Sequence, residues 1–204
     1  MPIVNQVNGL LAEFAIFPVE LDSQVNLVEY VIQNIESVLK HKKGFSSGSV
    51  LRSRDGLRVT SYVQWADQES YLATQPITDF AVPDVHLFEI FAAEPKDSEL
   101  HLSPSMDGLI NFGIFKMKEP ENQPRFIELF RQALEMVSGQ AGLISTHAHR
   151  SLDGLRCINF GHWRSLEEYT AMDSNRPFSP IFGEMLDLAN NEYQKTLHEV
   201  IFTT

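Results

Sequence analysis

Residues 44–73, GFSSGSVLRSRDGLRVTSYVQWADQESYLA, recur without a gap 98 positions later as residues 142–171, GLISTHAHRSLDGLRCINFGHWRSLEEYTA. Twelve of the 30 aligned pairs are identical, and they include the two tryptophans of the chain, Trp65 and Trp163. Repeats of this density indicate a duplication, in which each copy is one structural unit. The 204-residue chain is therefore predicted to consist of two similar halves.

Working outward from the repeat, both halves show the same order of elements. Each has a strand, an amphipathic helix, a hairpin at an Asp-Gly dipeptide, a second helix after the tryptophan, and a closing strand. The first strands are expected at about 12–18 and 109–117, and the closing strands near 86–91 and 198–202. This βαββαβ order is the ferredoxin-like unit, whose antiparallel sheet carries helices on one face only.

The uncovered sheet faces decide the architecture. Two such units bury those faces when the sheets pack against each other, so we predict an α+β fold in which two ferredoxin-like βαββαβ repeats form an intrachain dimeric α+β barrel. The predicted domains are residues 1–98 and 99–204, joined by a linker at about 94–107 that is rich in proline, serine and charge.

Local signals refine both halves. The Asp55-Gly56 and Asp153-Gly154 dipeptides favour tight type I′ turns, in which both central residues have positive φ. The second half also has 12 more residues than the first between its second helix and closing strand. Part of this excess, residues 179–188, is predicted to be helical and to help wall a pocket.

Composition excludes several classes of function. The formal charge is −11, shared as −6 and −5 between the halves, so binding to a phosphate backbone is not expected. A single cysteine, Cys157, permits no intrachain disulfide and favours a reducing compartment. With neither a basic leader nor an apolar run of membrane-spanning length, the sequence predicts a cytoplasmic protein without a membrane partner.

The alternation of side chains sorts the second hairpin into two faces. The tryptophan face is the more apolar, and it carries Ile144, Thr146, Ala148, Asn159, Gly161 and Trp163. The opposite face carries His147, His149 and His162, which could approach a metal. Because those strands hold no carboxylate and the first half has no matching histidines, we predict that this face lines the interface between the sheets and binds no metal.

The pattern Asn159-x3-Trp163-x5-Tyr169, a strand ending in tryptophan followed by a helix that carries tyrosine, resembles the antibiotic biosynthesis monooxygenase family. Within that family the pattern is most similar to the cofactor-free anthrone oxygenases. The resemblance implies a monooxygenase that needs no cofactor and acts on a small aromatic substrate with O2. It also implies catalytic roles for Trp163, Tyr169 and Asn159, with indole and amide N–H groups stabilising a developing oxyanion.

Five further residues are expected to contact the substrate. They are Phe182 and Arg176 after the second helix, Ile144 on the tryptophan face, and the first-half counterparts Trp65 and Tyr71. Because the first half has Ser61 in place of Asn159 and a shorter segment after Tyr71, its own pocket is in doubt. We expect the second half to hold the working site and the first half to act as its built-in partner.

Other functions remain open. In the same superfamily, haem-degrading enzymes combine an asparagine, a tryptophan and a helix histidine; Asn111 and Trp163 could fill two of these places, but the second helices contain no histidine. A non-catalytic barrel that binds a small apolar molecule is a third reading, in which Trp163 and Tyr169 are core residues. A cavity of several hundred Å³ beside Trp163 would favour catalysis. Homo-oligomers would form through surfaces outside the barrel.

Overall fold

The computed structural model of the chain describes residues 2–74, 82–175, 179–193 and 196–204. The first half contains, in chain order, β1 (Ile3–Val4), β2 (Leu11–Pro18), α1 (Gln24–Ser37), β3 (Phe45–Ser53), β4 (Arg58–Trp65), α2 (Gln68–Leu72) and β5 (Asp84–Glu94). The remainder contains β6 (Leu100–His101), β7 (Leu109–Met117), α3 (Gln123–Val137), β8 (Leu143–Ser151), β9 (Arg156–Trp163), α4 (Leu166–Asn175), α5 (Ser179–Leu188), β10 (Ala189–Tyr193) and β11 (His198–Thr203).

Eight strands close into one barrel in the order β5-β2-β4-β3-β11-β7-β9-β8, with β8 pairing back to β5. Within each half the order is that of a ferredoxin-like sheet. Counted along the barrel strands alone, β5 and β11 are the fourth strands of their halves, and β3 and β8 are the second strands. The two halves are joined where each fourth strand pairs with the second strand of the other half, β11 with β3 and β5 with β8. Closure pairs every barrel strand on both sides, which removes exposed edges. The predicted intrachain α+β barrel is confirmed.

The fourth strand of the second half is divided in two. Its first part, β10, pairs with β7 from Ala189↔Met117 to Tyr193↔Gly113, and β11 then pairs with Ile110 and β3. In the first half, β5 performs both pairings alone. The sequence predicted the helix α5 but not β10, because asparagines are depleted in strands.

The hairpin turns differ from the prediction. Gly56 and Gly154 have φ values of +81° and +78°, but neither aspartate has positive φ, so the turns are not type I′. Instead, the Asp55 carboxylate accepts from the backbone N–H of Leu57 at 3.0 Å, and only the glycine adopts the left-handed conformation. The predicted pairing of the hairpin strands is nevertheless correct, with Thr146 opposite Gly161.

The segment predicted as a linker, residues 94–107, is packed rather than loose. Its β6 pairs with β1, and Leu100 and Leu102 are buried in the same cluster as Val4 and the barrel interior. Both halves therefore share one core, and the domain division at residue 98 stays a prediction.

Aromatic side chains fill the barrel interior. The ring of Phe14 meets Tyr62, Phe88 and Phe112 edge-on at centroid distances of 4.9, 5.2 and 5.9 Å. His149 and His198 are fully buried among these rings. Burial lowers their pKa values from 6.5 to about 3 for His149 and about 4 for His198, because a charged imidazole would be poorly solvated there.

The histidines considered as metal ligands point to separate partners. His147 Nε2 bonds the carbonyl of Ser98 at 3.0 Å, and His162 Nε2 bonds the carbonyl of Asp107 at 2.7 Å. Among the described residues, no group of three or more histidine, cysteine or acidic side chains is placed to hold a metal ion.

No helix in these ranges is long and apolar enough to cross a bilayer.

The buried histidines predict a loss of stability in mild acid. Between pH 6.5 and about 4, the histidines of the unfolded chain bind protons that the buried histidines of the folded barrel do not. The free energy of unfolding should therefore fall as the pH falls. The decrease is up to about 1.4 kcal/mol per pH unit for each histidine. The variant His198→Leu should reduce this slope, as measured by urea denaturation at several pH values. A slope that is unchanged by His198→Leu would contradict the assignment.

Candidate functional site

A cavity opens between the outer face of the second-half sheet and its helices. Its floor is formed by β7, β8 and β9, and its walls by α3, α4, α5 and β10. The lining residues are Asn111, Gly113, Phe115, Phe130, Ala133, Leu134, Val137, Leu143, Thr146, Asn159, Trp163, Tyr169, Met172, Phe182, Met185 and Asn191. The cavity volume is about 100 Å³, smaller than the several hundred Å³ expected for a catalytic pocket, and the protein-free space reaches about 750 Å³ only when the open mouth is included.

The equivalent place in the first half is almost filled. The space there, beside Glu13 and Ser61, is about 10 Å³. A single water needs roughly 10–15 Å³, so this site has room for about one water, whereas the second half has room for an organic ligand. The cavity belongs to one half of a duplicated chain.

Smaller side chains on the sheet and helix account for much of this difference. At positions 98 apart, Gly113 stands for Ala15, Ala133 for Ile35 and Gly161 for Val63. Ile35 and Val63 are fully buried in the first-half core. A Cβ added at Gly161 would lie 3.0 Å from Trp163 Nε1, so any larger residue there would press on the indole. Glycine at this position keeps space open next to the tryptophan N–H.

The two tryptophans have different hydrogen bonds. In the first half, Trp65 Nε1–H donates to the buried carboxylate of Glu13 at 2.8 Å. In the second half, the position equivalent to Glu13 is Asn111. Its Nδ2 donates to the Tyr169 hydroxyl at 3.0 Å. Within the described part of the chain, Trp163 Nε1–H has no acceptor. The indole donor that is used internally in the first half is therefore left for a ligand in the second.

Asn159 offers a second donor to the same cavity. Its side-chain oxygen accepts a short hydrogen bond from the Thr146 hydroxyl on β8. Because this bond occupies the oxygen, the amide NH2 of Asn159 is the end that remains for a ligand. Trp163 and Tyr169 pack edge-on, with ring centroids 5.3 Å apart, which fixes the indole beside these donors.

The cavity is electrically neutral over its described lining. None of the lining residues carries an ionisable acid, amine or imidazole. The buried acid of the first half, Glu13, has a pKa raised by desolvation, and its counterpart Asn111 avoids that charge. The Cys157 thiol has a pKa raised to about 12 by burial and does not line the cavity. The described lining therefore carries no charge and offers hydrogen-bond donors within a largely apolar cavity.

The structure brings together four of the predicted site residues. Trp163, Tyr169, Asn159 and Phe182 all line the cavity. Arg176 lies outside the described residues.

Ile144 was wrongly placed. A β-bulge between Leu143 and Ser145 puts Leu143 opposite Trp163, so Ile144 turns outward and is 41% exposed.

The expectation that Trp65 and Tyr71 contact the substrate is also not met. Both pack in the core between helix and sheet of the first half, away from this cavity. Trp65 and Tyr71 correspond to Trp163 and Tyr169 in sequence, but neither lines the cavity or the small first-half space beside Glu13.

Several lining residues were missed. Met185 lies on α5, which only the second half contains, and Asn191 lies on β10 directly after it; the 12 extra residues were the available signal for both. Gly113 was visible as a small residue on a strand, a pattern that marks close approach of another group.

Residues 114–179 match the family model described as antibiotic biosynthesis monooxygenase. The match covers 66 of the 204 residues and lies within the second half of the chain. A curated relative, tetracenomycin-F1 monooxygenase from Streptomyces glaucescens, is 33% identical over 73 residues, which is 36% of this chain and 65% of that protein. The matched segment thus spans just under two thirds of the relative.

Solved structures support the fold over the whole chain. An anthrone oxidase-like protein superposes with a TM-score of 0.84 at 15% identity, covering 100% of this chain and 96% of that one. A monooxygenase-like protein from Listeria innocua gives a TM-score of 0.53 at 11% identity, with 94% and 95% covered. At these identities the likeness establishes the fold, and the chemistry must be argued from the site.

We expect the variant Gly161→Val, which copies Val63 of the first half, to close the cavity. Its side chain would occupy the space beside Trp163 Nε1, so the affinity for 2-naphthol, measured by calorimetric titration, should fall at least tenfold, about 1.4 kcal/mol. The variant Val63→Ala is the control. It should lower the free energy of unfolding by about 1–3 kcal/mol and leave the affinity intact. Unchanged binding to Gly161→Val would show that the ligand does not lie beside Trp163.

Proposed function

We propose that this protein is a cofactor-independent monooxygenase that oxidises a planar aromatic substrate of the anthrone type in the second-half cavity. The observation that carries the proposal is the indole N–H of Trp163. It faces a neutral, largely apolar cavity beside the amide of Asn159, whereas the equivalent indole of the first half is bonded to Glu13. The relatives whose names contain anthrone oxidase or monooxygenase agree with this reaction class.

The chemistry balances without an external reductant. An anthrone loses two hydrogens from its central CH2 carbon and gains one oxygen atom from O2, which gives a quinone carbonyl, and the second oxygen atom leaves as water. The substrate supplies all four electrons that reduce O2. Once deprotonated at that carbon, the electron-rich ring can pass an electron to O2 itself, and the protein acts by favouring the deprotonated form.

Trp163 and Asn159 would stabilise this form. As the proton leaves, negative charge moves onto the substrate oxygen, and two N–H donors aimed at that oxygen stabilise it strongly in an apolar site. The described lining contains no carboxylate or imidazole, so the proton passes to water at the cavity mouth. Tyr169, held by Asn111, positions the indole and closes this end of the cavity.

The first half would serve as structural partner. Its strands β3 and β5 pair with β11 and β8, so it completes the barrel on which the site is built. In this role it needs no cavity of its own, which agrees with the filled space beside Glu13.

The variant Trp163→Phe tests the proposal. Phenylalanine keeps the aromatic packing against Tyr169 but removes the donor, so O2 consumption with anthrone as substrate should fall at least a hundredfold, as expected for loss of an oxyanion donor. An oxygen electrode measures the rate, and calorimetry should show a nearly unchanged Tm.

Trp65→Phe is the matched control in the first half. It leaves the Glu13 carboxyl without its donor, which should cost about 1–3 kcal/mol of stability while O2 consumption persists. If Trp163→Phe instead lowers the Tm as much as Trp65→Phe does and retains activity, Trp163 is a core residue. An unaltered protein that consumes no O2 with anthrone would contradict this substrate class.

A further inference from the structure

We propose that Asn191 on β10 recognises a ring hydroxyl of the substrate, at the end of the cavity away from Trp163. This inference rests on the proposed function and adds to it the substrate class, a hydroxylated aromatic rather than a bare ring. Asn191 lies beyond the ungapped repeat at residues 142–171, so the repeat pattern assigns it no role.

The first observation is an unpaired acceptor. Asn191 lines the cavity, and its side-chain Oδ1 is buried without a hydrogen-bond partner among the described residues. Buried polar atoms in folded proteins nearly always have partners, and leaving one unpaired is unfavourable. A carbonyl oxygen requires a donor, and a phenolic hydroxyl on a bound ligand would supply one.

The second observation is the position of this acceptor in the sheet. Asn191 pairs with Phe115 on β7, and Asn159 pairs with Gly113 on the other side of β7. Asn191 and Asn159 therefore lie on the two strands that flank β7. They are offset by two residues along the sheet and share the face that lines the cavity. With strands about 4.8 Å apart and a rise of about 3.4 Å per residue, their Cα atoms lie about 12 Å from each other.

The two ends of the cavity therefore differ in polarity. The Trp163 and Asn159 end donates hydrogen bonds, the Asn191 end accepts one, and apolar side chains such as Phe115 and Met185 lie among the lining between them. A flat polycyclic ligand with an acceptor oxygen at one end and a hydroxyl at the other matches this arrangement. Because the described lining is uncharged, the hydroxyl would bind in its neutral form.

The test compares two ligands that cannot be oxidised in the proposed way, anthraquinone and 2-hydroxyanthraquinone. Both offer carbonyl acceptors, but only the second offers a donor to Asn191. The unaltered protein should bind 2-hydroxyanthraquinone about tenfold more tightly, as measured by quenching of tryptophan fluorescence. The variant Asn191→Leu should abolish that preference and leave the affinity for anthraquinone within about twofold.

Asn190→Leu is the matched control, because Asn190 is the neighbouring residue on β10 and its side chain is exposed. This variant should keep the preference. Equal binding of both quinones by the unaltered protein would overturn the role of Asn191 but leave the proposed function standing. If neither quinone binds, the proposed function itself fails. A variant Asn191→Leu that weakens both quinones equally would show that Asn191 only shapes the cavity.

Discussion

The pairing of the fourth strand of each half with the second strand of the other is the interaction on which the molecule depends. It joins two four-stranded sheets into one closed barrel, so neither half retains an open edge. The faces turned inward share a core of edge-on aromatic rings around Phe14. The faces turned outward carry the helices, and the cavity lies there. Because closure is complete within one chain, the site requires no second subunit to build its sheet.

Duplication permits the halves to diverge. One half retains large side chains, such as Ile35 and Val63, and uses its tryptophan to satisfy Glu13. The other substitutes Ala133, Gly161 and Asn111 at the same positions, which removes bulk and frees an indole N–H. Loss of packing in the second half lowers stability, and the filled core of the first half, joined through the barrel, can offset it. A site and its stable support are thus separated between two copies of one fold.

Much of the fold was predictable because it follows from local rules. The repeat fixed the number of units, the spacing of apolar residues fixed strands and helices, and the Asp-Gly dipeptides fixed the hairpin register. The turn type failed for a local reason, the hydrogen bond from Leu57 N–H to the Asp55 carboxylate, but two other failures had a non-local cause. The bulge that turns Ile144 outward is imposed by the pairing of β8 with β9, and β10 forms because β11 pairs with β7 only at Ile110 and leaves the rest of that side to β10. Neither leaves a clear mark in the residues themselves.

The sequence by itself determined that two related βαββαβ units form an internal barrel, and it singled out Asn159, Trp163 and Tyr169. These conclusions rest on periodicity and repetition, which are properties of the chain. Only the tertiary structure decided that the second half holds open space and that the Trp163 donor is unused. It also placed Asn191 across the cavity. Free volume and hydrogen-bond pairing arise from side chains that are distant in sequence, such as Gly161 with Trp163 and Thr146 with Asn159, and they exist only after the strands are aligned.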